Sequence, residues 1–529
     1  MNRKKSLSTF RWVIAAALAV CSVARSRAQD QPAKGKAEHV VVMVWDGMRP
    51  DFIRPQWTPT LYELSKKGVF FKNHHPVYVS STEVNGTALV TGMYPEHSGI
   101  AANTDYRPEI RFLEAGGTET IESVRRGDLA TGGHYIAVPT LPEIIQAAGH
   151  RTVVAGTKSV ALLLDRSNQR PSGAASNSVN LFKGQTLPRS ALQALIKVND
   201  DKSFNTNITH PNTGQDAWTT KALTHGLWKS GVPKLSILWH SDPDFSQHEA
   251  GPGSATAIGA LESADKNLAA VLKALDEKGV RSKTDVIVVS DHGFSTIERG
   301  VDLPHMLRHA GFKAEKKFED PEPGEILVVG LGGSVALYVV GHDEALIRKV
   351  VAFLQATDFA GVIMCRTHIE GTFPMSALRT DTTNSPDILM SFRWSSDRSE
   401  SGTPGMVVSE GGTKGKGTHG SLSNFDMHNT LVASGPDFKS GFMNDLPSGN
   451  ADLTPTILAI LGIKPPQALD GRVLSEALVS APMPSLKPET KTIEATKENE
   501  LFRWRQYLKF TTFGSQIYFD EGNGESVWK

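Results

Sequence analysis

The feature that most constrains this chain is the run H-V-V-V-M-V-W at His39 to Trp45, stopped by Asp46-Gly47. It is almost continuously apolar, where a half-exposed strand would alternate, so it has to be covered on both faces as parallel strands are. Similar runs recur at Thr152 to Ala155, Leu235 to Trp239 and Asp285 to Ser290. Between and after them lie helical patterns: Thr58-Pro59 through Lys67, Leu141 to Ala148, Ala217 to Trp228, Ala255 to Leu275 and Asp452 to Leu461, most of them closed by glycine. This alternation predicts an α/β fold with a mostly parallel central sheet sandwiched by helices. In such sheets ligands bind beyond the carboxyl ends of the strands. Those ends carry Asp46, the stretch His240 to His248, and Asp291 with His292 to one edge.

A second stretch, S-S-T-E-V-N-G-T-A-L-V-T-G from Ser80 to Gly92, reads as a hydroxyl at the start of a helix. By itself a Thr before an apolar run is most often a cap. A helix N-terminus also offers unpaired N–H groups and a positive dipole end to an anion. Thr82 is therefore a candidate nucleophile toward a phosphate.

Metal-ligand chemistry is written in three places. Asp244 and His248 are spaced i, i+4 in P-D-F-S-Q-H-E-A-G-P and share one side of a helical turn. Asp291-His292 follows a buried strand, and His419 lies between small residues in G-T-H-G. Each alone is more often a loop cap, a turn or a structural histidine. Their coincidence at three strand ends with a Thr-led helix points to adjacent oxygen and nitrogen ligand sets suited to zinc, with manganese or another transition metal ranking lower. His74, His75, His97, His240 and His428 lie near these motifs and read as packing or supporting residues.

The order V-V-V-M-V-W-D-G, T-E-V-N, V-T-G-M-Y-P, P-D-F-S-Q-H-E-A-G-P, S-D-H-G-F and G-T-H-G resembles the alkaline phosphatase superfamily, and within it the nucleotide pyrophosphatase/phosphodiesterase family. The resemblance covers most of residues 38–295 and 418–475. It implies an alkaline phosphatase-like fold and two zinc ions, one held by Asp244, His248 and His419 and the other by Asp46, Asp291, His292 and Thr82. It places Asn85 as a side-chain donor to a phosphoryl oxygen and Thr82 as a nucleophile activated by zinc, which passes through a phosphothreonine. The expected function is a secreted or periplasmic hydrolase of phosphodiester or pyrophosphate bonds. The alternatives are a phosphomonoesterase or phosphonate hydrolase on the same site, and a non-catalytic phospho-ligand-binding protein.

The sequence also departs from that family. Glu83 and Val84 stand where nucleotide-cleaving relatives have an aromatic residue and a proline, which removes a stacking surface for a base. Lys158 and Arg166 are present, but not in the short spacing with which monoesterase relatives hold extra phosphate charge. Val160 and Leu162 read as an apolar wall that favours a diester. The stretch S-S-T-E-V lacks the C-x-P-x-R or S-x-P-x-R of sulfatases.

Residues 1–28 read as a signal peptide, with a basic start at Arg3, Lys4 and Lys5, an apolar run from Trp12 to Val23, and small residues at Ser26 and Ala28. The segment holds six basic residues and no acid, so its removal takes the chain from balance to a net charge of −6, which argues against a polyanion partner. Membrane contact is expected only through this segment if it is retained, and the substrate is expected to be a small phosphorylated molecule. Only Cys365 follows it, so no intramolecular disulfide remains. The remaining organisation is expected as a flexible segment at 29–37, a catalytic core at 38–295 and 418–475 with insertions near 104–138 and 165–214, and a cap at 296–417. A linker and hairpin at 476–529, turning at D-E-G-N-G (520–524), would end the chain.

Overall fold

A computed structural model describes residues 34–167, 178–498 and 500–529. The expected signal peptide lies outside the described residues, as does the start of the expected flexible segment. Among the described residues no helix is long and apolar enough to cross a membrane.

Among the described residues the central sheet has nine strands. In spatial order they are Phe442–Asn444, Val69–Phe71, Leu431–Ser434, Thr284–Val289, His39–Trp45, Leu235–His240, Thr152–Gly156, Val179–Phe182 and Gln185–Leu187. The five strands from Thr284–Val289 to Val179–Phe182 run parallel, while Leu431–Ser434 and Gln185–Leu187 are antiparallel to their neighbours. The two strands at 179–187 come from a region expected as an insertion and extend the sheet at one edge.

The near-continuous apolar run of the His39 strand is explained by its two covers. Val40, Val42 and Val44 pack into one core with Leu89, Val90 and Ile457, beneath the helices Thr82–Thr91 and Leu453–Leu461. Val41, Met43 and Trp45 point to the opposite face, into a core with Leu261, Leu268 and Val271 of the long helix Ala255–Glu277. Register then aligns the strand ends. Trp45 pairs with His240, Val44 with Val289, and Trp239 with Gly156, so the residues that follow each strand leave the sheet along one edge.

Residues 296–417 supply most of two further sheets. Six strands, ordered Lys313–Glu315, Glu325–Gly330, Ser334–Val339, Ile388–Phe392, Ala360–Cys365 and Phe373–Pro374, form one. The other contains Trp394–Arg398, Pro404–Glu410, Ser295–Val301 and Gly417–Thr418. The backbone N–H of Gly333 donates to the carbonyl of His419 at 2.7 Å, which ties the six-stranded sheet to a site loop.

Two expectations need correction. Residues 35–37 are anchored: Lys36 and Ala37 donate their N–H groups to the Asp437 carboxylate at 2.7 and 2.8 Å, and Gly35 donates to the Ile460 carbonyl. The chain does not turn at 520–524. It ends in a three-stranded antiparallel sheet of Glu489–Glu498, Phe502–Phe513 and Gln516–Trp528, and the last strand runs through that segment while the turn sits at Gly514, with φ of +64°. The glycines there serve close approach instead: a Cβ on Gly524 would lie 2.0 Å from the carbonyl oxygen of Gly361.

Candidate active site

Thr82 opens a helix in which all ten residues are buried, with Ser81 in extended conformation before it and no side-chain cap. Its Oγ1 lies 3.3 Å from Nε2 of His292 and 3.4 Å from Nζ of Lys158. Around it stand carboxylates from three strand ends. The Asp46, Asp291 and His292 ligand atoms lie within 4.8 Å of one another, and so do those of Asp244, His292 and His419. His248 Nε2 is 3.3 Å from Asp244 Oδ1, on the solvent side, with its side chain 41% exposed. The seven expected metal-ligand residues are thus brought to one place, with His292 reaching both groups.

Three imidazoles are held the same way. His248 Nδ1 donates to the Gly417 carbonyl at 3.0 Å, His292 Nδ1 to the Gly293 carbonyl at 2.9 Å, and His419 Nδ1 to the Ser80 carbonyl at 3.0 Å. A carbonyl only accepts, so each proton sits on Nδ1 and each Nε2 lone pair faces inward when the ring is neutral. Burial lowers the proton affinity of His292 and His419, the latter further through the His292 ring stacked on it at 3.7 Å. His248 goes the other way, since Asp244 outweighs the effect of burial.

The carboxylates are crowded. Burial pushes Asp46 well above the ordinary range, with Asp291 adding to it, and burial pushes Asp291 up to about 7. Burial also acts upward on Asp244, but Lys158, His248 and His419 overcome it and hold that group well below its usual value. Lys158 bridges two of them, with Nζ 2.9 Å from both Asp46 Oδ2 and Asp244 Oδ2. Even so, Asp46 Oδ1, Asp244 Oδ1 and Asp291 Oδ2 are buried and accept no hydrogen bond among the described residues. Unpaired buried carboxylate oxygens are costly, and three of them beside inward imidazole lone pairs fit divalent cations, zinc by the nitrogen-and-oxygen donor set.

Asn85 requires a correction. Its Nδ2 donates to the carbonyls of Val77, Val79 and Ser81, and its Oδ1 accepts from the Val77 N–H and from Asn450. The side chain braces the loop leading to Thr82 and has no N–H left for a ligand. Asn103 lies beside the start of the Thr82 helix, its Oδ1 accepting the Glu83 N–H at 3.0 Å, while its Nδ2 makes no hydrogen bond among the described residues. No periodicity or motif marks Asn103 in the sequence. Lys158 was accessible to reasoning, because it follows the strand Thr152–Gly156 at the same sheet edge. Arg166 does not join it and pairs with Asp128. Val160 and Leu162 are not a substrate wall: both are buried in the core beneath the Thr82 helix. Glu83 is buried as well, its carboxyl held well above the normal range by burial and by Glu119.

The supporting histidines divide by partner. His74 spans Ser448 and Asn450, whose Nδ2 also reaches the Asp291 carbonyl, and burial takes its proton affinity down to about 3. His240 meets Thr220, and His97 meets Asp470.

Residues 40–421 match the type I phosphodiesterase / nucleotide pyrophosphatase family. Among curated relatives, bis(5'-adenosyl)-triphosphatase enpp4 of Xenopus laevis is 24% identical over 267 residues, 50% of this chain and 49% of that protein. Venom phosphodiesterase CdcPDE of Crotalus durissus collilineatus is 24% identical over 279 residues, 52% of this chain and 28% of that protein. The match therefore spans half or less of these relatives. The fold is similar to murine ectonucleotide pyrophosphatase/phosphodiesterase 5, solved as an inactive variant with AMP, at a TM-score of 0.59 and 17% identity over 83% of this chain and all of that one. With the family profile spanning well over half of its length, the chain belongs to the type I phosphodiesterase / nucleotide pyrophosphatase family.

Proposed function

We propose that this protein is a secreted or periplasmic two-zinc hydrolase that cleaves phosphodiester or pyrophosphate bonds of small phosphorylated substrates through a phosphorylated Thr82. The observation that carries the reading is the Thr82 hydroxyl at a buried helix start, 3.3 Å from an inward-facing imidazole and among carboxylate oxygens without partners. One ion would be held by Asp46, Asp291 and His292 with Thr82, the other by Asp244, His248 and His419. When bound, zinc lowers the pKa of an oxygen nucleophile and stabilises charge on attacking and leaving oxygens.

The chain's own residues do the rest. The buried helix fixes the direction of Thr82 Oγ1. Lys158 is held toward its protonated form, since Asp244, Asp46, Asp291 and Glu83 raise its affinity for the proton against burial. In that form it is a fixed positive charge beside the oxygen that attacks. The Glu83 N–H, next in the chain to Thr82, is held by Asn103 Oδ1 at 3.0 Å; an entering phosphoryl oxygen would take that N–H from Oδ1, and the released Asn103 amide would be available as a second donor. Secretion is supported by the amino-terminal signal pattern and by a relative found in venom.

Phosphomonoester or phosphonate hydrolysis is a second reading, favoured by the Lys158 ammonium aimed at the nucleophile. With Val160 and Leu162 in the core, preference for a diester rests on family membership. The test is hydrolysis of bis-p-nitrophenyl phosphate against p-nitrophenyl phosphate, before and after chelation, by the wild type and Thr82→Ala. We expect chelator-sensitive diester turnover, and in Thr82→Ala retained metal with turnover down at least about a thousandfold. Near-normal turnover by that variant would remove Thr82 as nucleophile, and faster monoester turnover would favour the second reading.

A further inference from the structure

Away from the catalytic cluster, the structure brings together His75, His428 and Asp520, from three distant parts of the chain. His75 precedes the loop that leads to Thr82, His428 follows the His419 loop, and Asp520 lies in the last strand of the carboxyl-terminal sheet. Asp520 arrives there through a β-bulge. Lys509 pairs with Glu521 and Phe510 with Phe519, so Asp520 is the extra residue, and bulges re-aim side chains in this way.

The polar groups are organised as ligands are. His75 Nδ1 donates to the Ser448 carbonyl at 3.1 Å, and His428 Nδ1 donates to the Asn424 carbonyl at 2.9 Å. Both Nδ1 atoms are engaged with carbonyls, so each ring, when neutral, turns an Nε2 lone pair toward the same carboxylate. Asp520 Oδ1 is 3.1 Å from Nε2 of His75 and 4.0 Å from Nε2 of His428. Its Oδ2 is held by the Thr511 hydroxyl at 2.9 Å. Each of the three groups thus has its outer partner, the arrangement that orients metal ligands. His75 is 2% exposed, and His428 stays neutral near pH 7, its proton affinity lowered to about 4 by burial and by His75. Two lone pairs and a carboxylate oxygen facing one another repel unless a cation stands between them. Tetrahedral zinc with bonds of about 2.0–2.1 Å separates its ligand atoms by about 3.3 Å, and the observed 3.1 and 4.0 Å bracket that spacing.

We propose that His75, His428 and Asp520 form a further metal site, distinct from the catalytic pair, which binds zinc or a similar divalent transition ion. It takes two imidazole nitrogens and one carboxylate oxygen from the protein and leaves a position for water. Its role is to clamp the terminal sheet onto the loops that carry Thr82 and His419. The competing occupant is a proton on His75, which would make a simple ion pair with Asp520.

The test is a difference in metal content, independent of how many ions the catalytic cluster holds. The full chain is stripped with chelator, reloaded with zinc, freed of loose metal and compared with His428→Ala and Asp520→Asn, with folding checked by circular dichroism. Both folded variants are expected to hold one zinc fewer per chain than the wild type and to show a smaller rise in melting temperature on zinc addition. Equal zinc content in wild type and folded variants would overturn the site in favour of the ion pair. Should the variants not fold, diffraction of zinc-loaded wild-type crystals at the zinc edge decides. An anomalous peak among the three side chains supports the site, and peaks confined to the Asp46 and Asp244 region reject it.

Discussion

Lys158 holds Asp46 and Asp244 together, and removing its charge would leave two buried carboxylates facing each other. In metal-free protein, Lys158→Met is expected to cost about 3–5 kcal/mol, the loss typical of a broken buried pair, and the deficit should shrink when zinc is present. Urea unfolding with and without chelator measures both. Asn103→Ala removes a single donor beside the start of the Thr82 helix and should lower kcat by about a hundredfold to a thousandfold with metal content unchanged. The raised carboxyls set a pH dependence. Asp291 near 7 and Asp46 above its ordinary range hold protons that zinc must displace, so apparent zinc affinity should climb from pH 6 to 8, about tenfold per unit for each proton released. A competition titration against a chromophoric chelator checks it, and a flat profile would contradict the assignment. At this scale Asp46, Asp244, Asp291 and His292 were legible because they sit at or just beyond the ends of buried strands, where sequence pattern speaks about position. Asn85 and Asn103 were not, because spacing along a helix does not tell which amide is consumed by neighbouring carbonyls.

The central strands were readable as elements because burial on both faces leaves an unmistakable apolar run, as in His39–Trp45. The last strand was misread because glycine signals either a turn or the near passage of another backbone, and only packing distinguishes them. Gly524 belongs to the second kind. A methyl group there would overlap the Gly361 carbonyl, so Gly524→Ala should destabilise the protein by about 1–3 kcal/mol and loosen the terminal sheet from the strand Ala360–Cys365. Thermal unfolding together with hydrogen exchange across residues 489–529 would show whether the loss is local to that sheet.

Across the whole molecule, distant segments are fastened by buried polar joints that no local pattern announces. Arg472 reaches Glu476, the Pro447 carbonyl and the Tyr518 hydroxyl, and its backbone N–H meets Asp452. Glu476 is fully buried, so Arg472→Met should cost about 3–5 kcal/mol in chemical denaturation by stranding that carboxylate. The candidate ligands are likewise scattered from Asp46 to His419, and this spread gives the protein a timetable. As the chain is made, Asp46, Asp291 and His292 all emerge well before His419. One candidate set of donors is complete in sequence while the other still waits, so a nascent or truncated chain already carries every residue of the first set long before it carries the second.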